Sequence, residues 1–270
     1  MQISVRWPFL LVASLLITFS PAAEKPSQED IEHMREELGV NGFTAPSIET
    51  ILQELDAMKP FPFDKAWRDL PTGTPQDRPN LALSTGVVIA DGFLAVASQK
   101  QSRIEQVGRA LLRLAKGLGV SDRVTKHSHS ILEKAARSQW SDVKQELVRT
   151  QAEVETAMMG LKDEELAHLV ALGGWLRALE ITSAVAYDDY TPERARRLIQ
   201  PELLDYFLDR ISTLNPNFKK TPLAQALEKD LQEVKTITTK PVDTPVGKDE
   251  VKRIRDLARE LNKLIGGSDE

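Results

Sequence analysis

The stretch Leu81–Ala97, LALSTGVVIADGFLAVA, decides the fold class. Apolar residues cover almost every side of a helix built from it, which is typical of a central helix buried by its neighbours. Ala82, Gly86 and Ala90 recur every four residues, so a second helix can approach closely along that row. The run is shorter than the roughly 20 apolar residues of a membrane span and contains Asp91, so we expect a core helix.

The distribution of proline extends this helix into a long helical region. No proline lies between Asn80 and Thr191, although prolines are frequent on both sides. Proline is excluded from helix interiors because it lacks an N–H group and clashes with the preceding turn. The apolar spacing in this window predicts five helices, at about 80–98, 101–117, 121–136, 140–160 and 163–187.

Beyond Thr191 proline returns, now where helices begin. Pro192, Pro201 and Pro222 each stand in a predicted first helical turn, a position that proline favours. We expect helices at 201–214 and 222–237, then a loop and a last amphipathic helix at 248–265. The sequence shows neither strand-like alternation nor a fixed-period repeat. It therefore predicts an all-α protein, an irregular multi-helix bundle or helix array without a clear sequence repeat.

The first residues have the pattern of an export signal. Arg6 precedes the apolar run Phe9–Phe19, and the small residues Ser20, Ala22 and Ala23 follow it. We expect a cleaved signal peptide at 1–23 and export, to the periplasm if the cell has two membranes and otherwise as a secreted protein. A polar N-terminal arm at 24–45 and a helical domain at 46–238 follow. A linker and C-terminal amphipathic helix occupy 239–270, and we expect no membrane span in the mature chain.

Composition excludes several classes of function. The chain has no cysteine, so disulfides, thiol catalysis and a lipid anchor on an N-terminal cysteine are ruled out. A net charge of −5 disfavours general nucleic-acid binding. The common hydrolase, metalloprotease and phosphate-loop motifs are absent, and the isolated pair Ser141 and Lys144 lacks the other motifs of the serine enzymes that use this spacing. We assign no catalytic residue, metal or cofactor.

Gly86 and Asp91 are the first candidates for a ligand site. Asp91 is the one charge in its helix, and a buried carboxylate needs a ligand or an arginine as its partner. The alternative comes from the helical wheel: the stripe of Ser84, Val88, Asp91, Ala95 and Ser98 is the most polar one, so it can face solvent or hold a structural ion pair. We favour this alternative.

Gly173, Gly174 and Trp175 are further candidates, inside the helix predicted at 163–187. They can form a pocket wall where a ligand meets exposed backbone, or a close helix crossing with a core tryptophan, which we favour. His168 lies three residues after Glu165, the spacing of di-iron bundles, but no second such pair exists. We expect no metal site and place His127 and His129 at the surface.

A basic row, Arg109, Arg113 and Lys116, marks one face of the helix predicted at 101–117. It can contact lipid head groups or another anionic polymer of the envelope, but a solvated helix face explains it as well and is the interpretation we favour.

Three hypotheses for the function follow. The leading one is an exported, non-enzymatic binding or interaction protein of the periplasm or cell envelope, whose partner is an envelope protein. The first alternative is a carrier of a small apolar molecule, which requires an enclosed cavity lined by helices 81–98 and 163–187. The second is an enzyme with an unfamiliar site, which requires Asp91, His168 and Asp188 to converge in one cleft.

Overall fold

The computed structural model describes Ala57 and residues 63–161, 163–240 and 244–266. The expected signal peptide (1–23) and polar arm (24–45) lie outside the described residues. Within the described ranges every regular element is a helix, which confirms the all-α class. The helices are α1 (Phe63–Ala66), α2 (Arg78–Ala97), α3 (Gln101–Leu118), α4 (Ser121–Ala136), α5 (Trp140–Gly160), α6 (Glu164–Asp188), α7 (Pro192–Arg196), α8 (Pro201–Thr213), α9 (Pro216–Lys219), α10 (Pro222–Thr238) and α11 (Lys248–Gly266).

Local sequence signals set the helix ends as expected. The five helices of the proline-free window form within two residues of their predicted bounds. Prolines begin α7, α8 and α10, and the side chains of Thr191 and Thr221 cap α7 and α10 by accepting a backbone N–H bond. Gly119 ends α3 in the left-handed conformation, with φ of 81°, which glycine adopts without a steric penalty.

The centre of the fold is the pair α2 and α6, which lie side by side and run in the same direction. Leu83 of α2 lies against Gly173 of α6, and further along Asp91 of α2 bonds Arg177 of α6. Along the chain, α3, α4 and α5 connect these two helices. They run back and forth, each packed on the helix before it, and α5 contacts both α2 and α6. Most residues of α2 are buried from Leu81 to Val96 because neighbours cover every side.

The C-terminal helices cover the other side of this pair. Helix α11 packs on α6 in the opposite direction and also contacts α10 and α2, and α8 packs on α10 and α6. The apolar face of α11 is buried from Val251 to Ile265, as the amphipathic pattern predicts. The domain boundary expected at 238 stays a prediction, and α11 shares a continuous hydrophobic core with the helices before it.

Within the described ranges two helices, α2 and α6, are long and apolar enough to cross a membrane by length and composition. In each, the most apolar window is mostly buried inside the protein, 89% for α2 and 83% for α6. Such burial is typical of core helices, whose apolar surface is already covered by protein.

Candidate functional site

The predicted glycine candidates lie where α2 and α6 cross. A Cβ atom on Gly86 would stand 1.9 Å from the Val170 carbonyl oxygen, and one on Gly173 would stand 2.1 Å from that of Leu83. Gly174 lies in the same crossing, against the backbone of Gly86. Glycine is therefore needed here for backbone-to-backbone approach, and no space for a ligand exists between the two helices at these positions.

Asp91 is the second candidate, and it is fully buried beside two arginines. Its Oδ1 atom accepts a hydrogen bond of 2.7 Å from Nε of Arg177, and its Oδ2 atom accepts one of 3.1 Å from Nε of Arg68. Arg177 is itself 2% exposed, so the pair is removed from water. Burial favours the neutral arginine, but the Asp91 and Glu180 carboxylates outweigh it and raise the pKa of Arg177 above its ordinary value.

The hydrogen bonds of Arg177 connect distant parts of the chain. Its other nitrogens donate to the Glu180 carboxylate at 2.7 Å and to the carbonyl of Ala66 at 2.5 Å, so all three nitrogens are used. Asn262 of α11 donates to that same Glu180 at 3.0 Å. We call these residues the Asp91 cluster: Asp91, Arg177, Glu180, Arg68 and Asn262. Both carboxylate oxygens of Asp91 accept hydrogen bonds from arginines, so the geometry of this cluster is that of a structural ion pair between helices.

The polar stripe of α2 does not face solvent, contrary to part of the interpretation we favoured. Ser84, Val88, Asp91 and Ala95 are buried, and only Ser98 at the end is partly exposed. Ser84 donates a hydrogen bond of 3.0 Å to the carbonyl of Ile265 on α11, and Asp91 is enclosed by Arg177 and Arg68. The other part of that interpretation, a structural ion pair, agrees with the geometry of Asp91.

Trp175 and His168 face α8 and its preceding loop instead of α2. Trp175 packs on Phe207, and its ring nitrogen donates a hydrogen bond of 2.8 Å to Gln200. His168 shares a 2.8 Å hydrogen bond with the hydroxyl of Tyr206. Burial and then the nearby Arg210 lower the pKa of His168 to about 4, so the ring is neutral at ordinary pH.

The structure does not bring together the residues of the enzyme hypothesis. His168 and Asp188 are twenty residues apart on α6, which is roughly 30 Å along a helix axis. Asp188 is exposed and pairs with Lys65 at 3.1 Å. Asp91 is enclosed by the arginines described above, so the three groups do not share a cleft.

A second buried charged group lies between α4 and α5, where the sequence suggested only surface residues. His127 is buried, in contrast to our expectation, and His129 is exposed. Nδ1 of His127 lies 2.6 Å from one carboxylate oxygen of Glu146, and Lys134 donates to the other at 2.5 Å. Burial raises the pKa of Glu146, but the bonds from Lys134 and His127 prevail and lower it to about 2. We call His127, Lys134 and Glu146 the Glu146 cluster.

Sequence reasoning missed most members of both clusters. Arg177 and Glu180 interrupt an otherwise apolar stretch of α6, the same signal that identified Asp91 in α2, and they could have been found in this way. The partners of His127 could not, because its contact with Glu146 depends on how α4 and α5 face each other. Among the residues that the structure describes, no group of three or more acids or histidines is arranged to hold a metal ion.

Comparison with family models, with curated proteins and with solved structures yields no match for this chain. A function is therefore inferred from the residues of this chain and their geometry.

Proposed function

We propose that this protein is an exported, non-enzymatic helical protein that acts by binding a component of the cell envelope. The observation that carries the proposal is the closed crossing of α2 and α6, where Gly86 and Gly173 bring backbone against backbone. The positions that the carrier hypothesis needs for its cavity are thus filled by protein. The residues that the enzyme hypothesis needs are far apart or already paired.

The described surface supports recognition by polar contacts. The exposed large apolar side chains in the described ranges are Leu161 and Leu264, one after α5 and one on α11. Extended apolar patches usually mark tight protein interfaces. A surface with two separate apolar side chains is better suited to reversible binding through charge and hydrogen bonds than to a large permanent interface.

The experiment that tests this proposal begins with the native host. The protein is tagged at its C terminus and expressed from its own chromosome locus, and its location is followed by cell fractionation and by sequencing of its N terminus. We expect a mature N terminus at Ala23 or Glu24 and association with the envelope fraction. An intact N terminus on a cytoplasmic protein would reject export.

Native mass spectrometry of the gently purified protein then separates the two binding hypotheses. We expect the mass of the mature chain, alone or with a macromolecular envelope component. A constant additional mass of a few hundred daltons would indicate a resident apolar ligand and would favour the carrier.

A further inference from the structure

The charge of the α3–α4 hairpin differs in sign from the charge of the whole protein. Residues 100–137 contain nine lysines and arginines and three acidic residues, a net charge of +6, in a chain whose net charge is −5. The remaining residues are therefore strongly acidic, and the basic residues are concentrated in one supersecondary unit. Such a separation of charge creates a positive surface field that a small net charge conceals.

The basic residues of the hairpin project from two adjoining helices. Arg109, Arg113 and Lys116 follow one another at helical spacing on α3, and Arg123 and Lys126 lie in the first two turns of α4. The turn through Gly119 and Val120 is short, so the Lys116 end of α3 adjoins the start of α4. We call these five residues the basic face.

The basic face is exposed, and its charges are largely uncompensated. Arg113 is partly buried and donates to the Pro71 carbonyl, which fixes the loop before α2 against α3. The other four side chains are exposed and make no ion pair with any residue that the structure describes: Arg109, Lys116, Arg123 and Lys126. Glu105 lies one helical turn before Arg109 and Asp122 adjoins Arg123, but neither forms an ion pair with the basic face in the part of the chain that the structure describes. The acid further along α4, Glu133, already pairs with Arg137.

We propose that the basic face docks the protein on a membrane surface rich in anionic phospholipids. The inference rests on the proposed function, because it names the envelope component that the protein binds. A protein partner would need apolar or aromatic anchors at the centre of its interface, and the two exposed large apolar side chains, Leu161 and Leu264, lie on neither α3 nor α4. An anionic lipid surface requires only charge, since each basic residue near it contributes about 1 kcal/mol.

Vesicle binding by the full chain tests this proposal. Vesicles of phosphatidylcholine alone are compared with vesicles that contain about 30% phosphatidylglycerol, at low salt and at about 0.5 M salt, where the Debye length is only a few ångströms. We expect binding to the anionic vesicles at low salt, little binding to the neutral ones, and release by salt.

Two matched variants assign the binding to a surface. The first is R109Q/K116Q/R123Q/K126Q. The second, R196Q/K220Q/K229Q/K263Q, removes the same charge from exposed residues of other helices. Because all eight positions are exposed, both variants should keep the wild-type circular dichroism spectrum. The first should bind anionic vesicles at least about tenfold more weakly than the second, since it loses four favourable lipid contacts. The wild type and both variants have the same N-terminal residues, so any insertion of these residues into the bilayer contributes equally to the three measured affinities.

Three outcomes would overturn the inference: wild-type protein that ignores anionic vesicles, equal losses in the two variants, or binding to a soluble polyanion such as polyphosphate without binding to vesicles. If a macromolecular envelope partner co-purifies while vesicle binding fails, the proposed function stands and only the lipid assignment falls. If the protein proves cytoplasmic but still binds anionic vesicles through the basic face, export falls and the docking surface stands.

Discussion

The Asp91 cluster and the Glu146 cluster both bury a carboxylate beside basic side chains, but they join different parts of the fold. Arg177 of the first connects α6 to Asp91 of α2 and to the Ala66 carbonyl, and Asn262 adds α11. The second joins the neighbouring helices α4 and α5 only. Loss of the first should therefore affect packing across the whole molecule, and loss of the second should affect one hairpin.

The partners of the two carboxylates also differ in chemistry. Asp91 faces guanidinium groups, which remain charged at every pH that a protein survives, whereas Glu146 faces an imidazole and an ammonium group. Two buried carboxylates of one all-α protein are thus neutralised in different ways, one by guanidinium groups from separate layers and the other by an imidazole and an ammonium group of a neighbouring helix. Substitutions at the two clusters and at the helix contacts beside them test this difference.

Replacement of Arg177 by methionine should have the largest effect. It leaves the fully buried Asp91 with only the longer bond to Arg68, so we expect the free energy of unfolding to fall by about 3–5 kcal/mol. Urea denaturation followed by circular dichroism measures this fall. The matched control is Arg253→Met, which breaks an exposed bidentate pair with Glu233 and should cost less than about 1 kcal/mol.

A double variant distinguishes a buried charge from a lost packing contact. Asp91→Leu combined with Arg177→Met removes both charges and should recover a large part of the stability, because the fully buried carboxylate is gone and Glu180 keeps Asn262 and Arg259 as partners. Equal losses in the single and double variants would mean that the Asp91 cluster matters through its shape and not through its charge.

Gly86→Ala tests whether the Asp91 cluster depends on the close approach of α2 and α6. The new methyl group would stand 1.9 Å from the Val170 carbonyl oxygen, so the helices must separate, and we expect a loss of about 1–3 kcal/mol or more in urea denaturation. Gly108→Ala is the control, since this glycine is also buried but its nearest neighbour, Leu132, is 4.0 Å away. Similar effects of both changes would contradict a special role for the α2–α6 crossing.

The fold was largely predictable from the sequence because its signals are local. Missing prolines, the apolar spacing and the prolines at helix starts act within one or two turns, and the observed helices follow them. The closeness of α2 to another helix was also expected from Gly86. Its partner was not, because the parallel pairing of α2 with α6 depends on the three intervening helices α3, α4 and α5.

The candidate site was predictable only in part, for a physical reason. Asp91 was singled out as the one charge in its helix, and burial beside an arginine was considered, but the favoured interpretation also allowed its stripe to face solvent. That its polar stripe is buried could not be predicted from α2 alone, because solvent exposure depends on how the helices assemble. His127 failed as a surface prediction for the same reason.

Glu146→Gln should separate the two clusters by their pH dependence. The folded-state pKa of Glu146 is about 2 against an ordinary value of 4.5, so its stabilising contribution is complete above the ordinary value and disappears as pH falls towards 2. At neutral pH we expect the variant to lose about 1–3 kcal/mol, and the difference from wild type should vanish between about pH 4.5 and 2. Denaturation curves across this range measure it.

The control for this change is Glu133→Gln, which alters an exposed glutamate on α4 that pairs with Arg137. Because both partners of that pair are well exposed to water, the change should cost well under about 1 kcal/mol. If the Glu146 variant keeps the wild-type stability at neutral pH, the bonds from Lys134 and His127 are not strong enough to offset the burial of the carboxylate.

His168→Gln should have the smallest effect on stability, and that effect should appear at a higher pH than the effect of Glu146→Gln. Between about pH 6.5 and 4 the unfolded chain takes up a proton at this histidine while the folded protein, with a pKa near 4, does not. The stabilising effect of the neutral ring is therefore complete above pH 6.5 and is lost as pH falls to 4. Over this range the wild type should lose about 1–2 kcal/mol more than the variant, whose amide can still bond Tyr206. Parallel pH profiles for the two proteins would show that His168 is protonated as easily in the fold as outside it, and NMR titration of its ring would identify the group responsible.

A confirmed difference would mean that mild acid first weakens the contact of α6 with α8, before it reaches the pH at which the Glu146 cluster loses its charge.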